Sequence, residues 1–180
     1  MEPRINFYKS GPDAMKAMAG LEQQIARSGL EKPLVELVRL RASQLNGCAY
    51  CIDAHSADAR KAGESERRLA TVAVARDTPF FSDRERAALE WTESVTLVAD
   101  THVPDAVWER VQPQFTPAEL VDLTRLVNTI NSCGLLRINS SMALPDKAQP
   151  HRHIPVGLRE APPIGTRNAS SRDDSRRADR

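Results

Sequence analysis

Cys48 and Cys51 stand three residues apart, and His55 follows four residues after the second, in the stretch Cys48-Ala49-Tyr50-Cys51-Ile52-Asp53-Ala54-His55. On a helix, offsets of three, four and seven share one face. If this stretch is helical, both sulfurs and the imidazole meet along one stripe. Such a set suits several chemistries. Two cysteines at a helix start can form a tight, reducible disulfide, because the first-turn amides and the helix dipole stabilise a thiolate. His55, one turn after Cys51, is placed to take or return a proton near neutral pH. The same three side chains are ligand types that zinc accepts. A fourth ligand is not evident, since His102, His151 and His153 are distant and the chain has no second CxxC and no HxxxH. The pair could also be a redox-sensing switch without catalysis. Tyr50, between the cysteines, could position a substrate oxygen, pack nearby or donate a hydrogen bond.

Glu36 extends the set. It lies twelve residues before Cys48, on a segment that reads as the preceding helix. Residues 33–45 are apolar enough on one side to be buried there, and a buried carboxylate needs a partner. His55 is the obvious one. Asp53 and Asp58 are expected to fall off the Cys48, Cys51 and His55 stripe, and to face water or to pair with Arg60 and Lys61.

The elements that must position these groups read as helices. Met15, Met18, Leu21 and Ile25 recur at spacings of three and four, with Gly29 as a stop. Pro33 suits a first helical turn, and Asn46-Gly47 suits the end of that helix. A third helix is expected from about Cys48 to Ala62, capped by Gly63, and a fourth from Ser65 to about Ala75. Ser82 with Glu85 and Thr116 with Glu119 are capping boxes, and Pro104 opens a short helix between the two segments they start. No segment alternates like a strand. The expected fold is all-α, a compact domain of about seven helices with the CxxC at a helix N-terminus. This also separates it from thioredoxin-like oxidoreductases, whose CxxC follows a strand.

Glu36, eleven intervening residues, Cys48-Ala-Tyr-Cys51, three residues and His55 together resemble the core motif of the AhpD-like alkylhydroperoxidases of the carboxymuconolactone decarboxylase superfamily. The likeness is strongest over residues 34–64, in text such as RASQLNGCAYCIDAHSADARKAGE. It implies a compact all-α fold assembling as trimers or hexamers, and reduction of organic hydroperoxides without metal, haem or other cofactor. A dihydrolipoyl-type thiol carrier is the implied reductant. The implied roles are attack by Cys51, resolution by Cys48 and a proton relay of His55 and Glu36. A helix N-terminus by itself would favour Cys48 as the low-pKa thiol. A general thiol–disulfide oxidoreductase on the same fold would use the same pair. The family's decarboxylases do not depend on these cysteines. Two departures stand out: Tyr50 occupies a position that carries a second histidine in the best-known hydroperoxidases, and Cys133-Gly134 stands where Trp-Asn is usual.

Composition sets bounds. The chain has 180 residues, 41% hydrophobic and 27% charged, with a net charge of +1. That is ordinary for one globular domain and gives no whole-chain field for nucleic acid or anionic lipid. No run approaches the roughly 18 apolar residues of a spanning helix. The first residues lack the apolar core of a signal peptide. Three cysteines do not make a secreted disulfide framework, so the expected compartment is the cytoplasm. From about Lys147 the chain turns rich in Pro, Arg, Ser and Asp, so the folded domain is expected to span 1–146 and residues 147–180 to form a disordered polar tail. Asp173, Asp174 and Asp179 interrupt its arginines and argue against nucleic-acid binding. His151 and His153 would bind metal weakly at best in such a tail, and Asn168 means nothing as a glycosylation acceptor without secretion. Cys133 is expected to be a small buried hydrophobe, Trp91 and Trp108 core or subunit interface, and His102 a solvated loop residue. Phe80 and Phe81 are expected in the core or interface, or at the mouth of an apolar site. Ala73, Val74, Leu97 and Val98 are candidates for the interface of a homo-oligomer.

Overall fold

The computed structural model describes residues 4–139. The expected boundary at residue 146, the tail, His151, His153 and Asn168 lie outside the described residues. Nine α-helices and no strand occur among the described residues: α1 (Phe7–Ser10), α2 (Pro12–Ala26), α3 (Lys32–Leu45), α4 (Ala49–Lys61), α5 (Glu66–Thr71), α6 (Asp83–Thr96), α7 (Val98–Thr101), α8 (Asp105–Val111) and α9 (Pro117–Asn139). Short 3-10 turns follow α5 (Val72–Asp77) and α8 (Gln112–Gln114). The two helices beyond the expected seven, α1 and α7, have four residues each and are too short to show a periodicity. The helix expected to run from Ser65 to Ala75 ends as α-helix at Thr71, and the chain kinks at Val74.

The starts follow local chemistry. Ser82 and Glu85 form the reciprocal capping box, and Thr116 and Glu119 do the same at α9. Ser65 caps α5 by accepting from the Arg68 amide. At α4 the cap is Cys48, whose sulfur accepts from the Cys51 N–H at 3.4 Å.

Helix α3 is the hub, packed against α4, α6 and α9. Its apolar residues feed two clusters. Leu34, Val35 and Val38 join α2, α6, α8 and α9, whereas Leu37 and Leu40 join α4, α5 and Phe81. Every residue from Leu34 to Val38 is therefore buried, including Glu36.

The turn from α3 to α4 fixes the first cysteine. Gly47 has φ +64, its N–H donates to the Gln44 carbonyl at 3.1 Å, and the Cys48 N–H donates to the Ser43 carbonyl at 3.1 Å. These two bonds form a Schellman stop. Cys48 thus closes α3 with its backbone and opens α4 with its side chain. A Cβ on Gly47 would meet nothing within 4 Å, so the cost of Gly47→Ala is conformational, about 1 kcal/mol. Urea unfolding of the variant is expected to show that loss.

Candidate functional site

Cys48 and Cys51 are paired as a disulfide with Cα atoms 5.3 Å apart, at the N-terminus of α4. Both are 2% exposed. Cys51 lines a cavity of about 370 Å³, and Cys48 is not part of its wall. The Cys48 sulfur instead accepts the capping bond from the Cys51 amide at the start of α4.

His55 follows Cys51 by one turn and lines the same cavity. Its Nδ1 lies 3.1 Å from Oε2 of Glu36, which reaches across from α3. The other Glu36 oxygen accepts from Arg39 Nη1 at 2.8 Å, and Arg39 Nη2 donates to Glu22 of α2 at 2.5 Å. Burial pushes the Glu36 carboxyl up, but the hydrogen bond from His55 and the Arg39 charge outweigh it, and the group is held below its usual range. Glu36 is therefore ionised at neutral pH and can only accept, so Nδ1 of His55 is the donor. Nε2 is then the nitrogen that can accept a proton. A carboxylate that fixes an imidazole's tautomer and stabilises its protonated form is a proton relay in chemical terms.

Tyr50 is buried, and the Arg137 guanidinium of α9 sits 4.1 Å above its ring. Arg137 and Cys133 bring α9 into the cavity wall. Burial pushes the Cys133 thiol up to about 11, so it is a neutral thiol at physiological pH, in keeping with the small hydrophobe expected there. Gly134, next to it, lies against Asn46, whose side chain donates to Asn131 at 2.8 Å and ties the α3–α4 turn to α9.

One expectation needs correction. Asp58 does pair with Lys61, at 3.0 Å, but it also lines the cavity. Its spacing of three from His55 and seven from Cys51 puts it on the cysteine stripe. Phe80 and Phe81 lie in the core, as expected, and not at the cavity. Phe81 is buried in the Leu37–Leu40 cluster with Phe80 packed against it, and Arg67 and Arg68 cover the two rings. Trp91 is core, as expected, and its indole N–H donates to Thr124; Trp108 is 43% exposed, with its ring 6.0 Å from that of Trp91. His102 is exposed in a left-handed turn.

Among the described residues, Glu36, His55 and Asp58 each offer a ligand atom within 4.8 Å of the others and could converge on a cation. This is not the Cys48–Cys51–His55 set that the spacing suggested, and the Arg39 and Lys61 charges already meet its two carboxylates. Arg39 was within reach of sequence reasoning, at three residues from Glu36. Arg137 was not, because nothing local places residue 137 beside residue 50.

Residues 12–94 match the model of the carboxymuconolactone decarboxylase family. The uncharacterized protein YdfG of Bacillus subtilis (strain 168) is 38% identical over 138 residues, which cover 77% of this chain and 94% of that one. The alkyl hydroperoxide reductase AhpD of Azorhizobium caulinodans is 47% identical over 47 residues, about a quarter of either chain (26%). Among solved structures, a protein of unknown function from Agrobacterium tumefaciens, likened to the antioxidant defence protein AhpD, superposes with a TM-score of 0.78 at 36% identity. That match covers 81% of this chain and all (100%) of the other. No helix among the described residues is long and apolar enough to cross a membrane.

Proposed function

The chain belongs to the carboxymuconolactone decarboxylase family, and on that premise we propose that it is a two-cysteine peroxidase of the AhpD-like kind, an antioxidant enzyme that reduces organic hydroperoxides. The observation that carries the reading is the cavity wall: Cys51, half of a disulfide, lies beside His55, whose Nδ1 is held by an ionised, buried Glu36.

In the reduced enzyme, Nε2 of His55 takes the Cys51 proton, and Glu36 stabilises the imidazolium. The thiolate attacks the terminal oxygen of ROOH. The O–O bond breaks, Cys51 becomes a sulfenic acid, and the leaving alkoxide takes the proton from His55 to give ROH. Cys48 then attacks the sulfenic sulfur and releases water, forming the Cys48–Cys51 disulfide. An external dithiol, in the dihydrolipoyl class, attacks Cys51 from the cavity, and Cys48 leaves as a thiolate capped by the Cys51 amide. A second exchange releases the carrier as its own disulfide and returns two thiols to the enzyme. No cofactor enters the balance. The cytoplasm, where thiols stay reduced, suits such a cycle.

The exposed side chains of Val74, Leu97, Val98, Trp108 and Val121 support a homo-oligomer as the working form. The test of the activity is a stepwise addition of cumene hydroperoxide to the fully reduced chain. Two thiols are expected to disappear per peroxide, with the new bond mapped to Cys48–Cys51. Thiols that stay reduced would end the peroxidase reading.

A further inference from the structure

We infer that Glu36, His55 and Asp58 form a site for a divalent cation of the zinc class on the wall of the Cys51 cavity, and that the ion switches the proton relay off. The switching rests on the peroxidase reading, and the site itself does not. One ligand atom from each of the three residues lies within 4.8 Å of the other two. His55 and Asp58 are three residues apart on one face of α4, and Glu36 reaches His55 from α3. All three line the cavity. An imidazole with carboxylate oxygens is a donor set that zinc accepts. Bonds of about 2 Å in a tetrahedron hold neighbouring ligand atoms roughly 3.4 Å apart. Nδ1 of His55 and Oε2 of Glu36 are already 3.1 Å apart. Asp58 has to close the remaining distance, and its side chain is the most exposed of the three, at 19%.

The cations beside the two carboxylates are compatible with an ion. Arg39 bonds the other oxygen of Glu36, Oε1, and is itself answered by Glu22. Lys61 meets Asp58 at 3.0 Å, but its side chain is 72% exposed, and an exposed pair is worth little. A divalent ion that displaces Lys61 is matched by the charges of Glu36 and Asp58. The consequence for the relay follows from the tautomer. Without the ion, Nδ1 donates to Glu36 and Nε2 takes the Cys51 proton. An ion bound by Nδ1 and Oε2 stands where the Nδ1 proton stood. A neutral imidazole keeps one ring proton, which then sits on Nε2. His55 can no longer accept from Cys51, and thiolate formation loses its base. The ring proton moves between nitrogens through water, so binding exchanges no electrons and releases no net proton.

The experiment uses the full chain and zinc chloride. In the oxidised chain Cys48 and Cys51 are paired and do not compete for the ion, so a calorimetric titration reads the inferred site. Saturable binding is expected. Asp58→Asn should weaken it about tenfold or more. Lys61→Met should tighten it about threefold, the factor that an exposed ion pair is worth. Shifts of opposite sign cannot come from a loss of fold. Zinc held at His151 and His153 would be indifferent to both changes. No saturable binding, or binding that Asp58→Asn leaves unchanged, would overturn the assignment.

The switch is read on the reduced chain, as the rate of Cys51 oxidation by cumene hydroperoxide. Saturating zinc should slow it about a hundredfold. At the zinc concentration that halves the rate of the unaltered chain, Asp58→Asn should keep most of its own zinc-free rate. Slowing that is equally strong in Asp58→Asn would put the ion on the cysteines and overturn the switch. A reduced chain that ignores the peroxide in the absence of zinc would end the peroxidase reading, and the titration of the oxidised chain would still decide the site.

Discussion

Cys51→Ser is expected to lose hydroperoxide-dependent turnover by more than about a thousandfold, because removing the nucleophile leaves nothing that the rest of the site can activate. Cys48→Ser should behave differently. It retains the thiol on the cavity wall and the His55–Glu36 pair, so one equivalent of peroxide should still react. The reaction should then stop, because no resolving thiol is in reach. Dimedone labelling and mass mapping would place a persistent sulfenic acid on Cys51 in that variant. The two cysteines compete for the role on physical grounds. Cys48 has the capping amide, which favours its thiolate, while Cys51 has the cavity and the imidazole one turn away. In the proposed cycle access decides between them, since a thiolate that the peroxide cannot reach is a leaving group and not an attacker. A stable sulfenic acid on Cys48 in the Cys51→Ser protein would reverse the order.

Glu36→Gln tests the other half of the site and should cost both rate and stability. The carboxylate has about 6% of its side chain exposed and is shared by His55 and Arg39. A glutamine at this position would lack the charge, leaving the largely buried Arg39 with Glu22 alone. Breaking a buried pair from one side costs roughly 3–5 kcal/mol, readable as a lower urea midpoint at neutral pH. The rate of Cys51 oxidation should drop about a hundredfold, as His55 loses the group that fixes its tautomer and supports its charge. The pH dependence has a definite sign. In the folded chain the Glu36 carboxyl is held below its ordinary value of 4.5. Its stabilisation is therefore complete above that value and is lost as pH falls through the lower folded one. The native chain should lose this increment only below pH 4.5, and Glu36→Gln should lack that part of the slope. A variant with native stability and an unchanged acid limb would show that the pair does not hold the site together.

Much of the site could be read along the chain, because its main parts are close in sequence and helical periodicity is a local property. Cys48, Cys51 and His55 occupy one helix, so their spacing alone aligned them. Asn46-Gly47 stops α3 by a local rule, and this made α3 and α4 neighbours and put Glu36 opposite His55. The capping boxes at Ser82 and Thr116 set two further helix starts by the same kind of local bond. Where local signals were weak, the reading fell short. α1 and α7 are too short to be periodic, and the kink at Val74 breaks a helix that its residues would have continued.

What only the tertiary structure decided is which sulfur faces the cavity and what stands across from it. Cys48 and Cys51 differ little as residues, and which of them lines the cavity depends on how α4 and α9 pack on α3. Arg39 of α3 reaches Glu22 of α2 because both helices pack on α9. Cys133 and Arg137 enter the wall because α9 packs on α3 and is tied to the turn through Asn46 and Asn131. Local hydrogen bonds and periodicity specify each helix within its own residues. The charge and shape of the cavity come from side chains that meet only after apolar faces far apart in sequence have packed together.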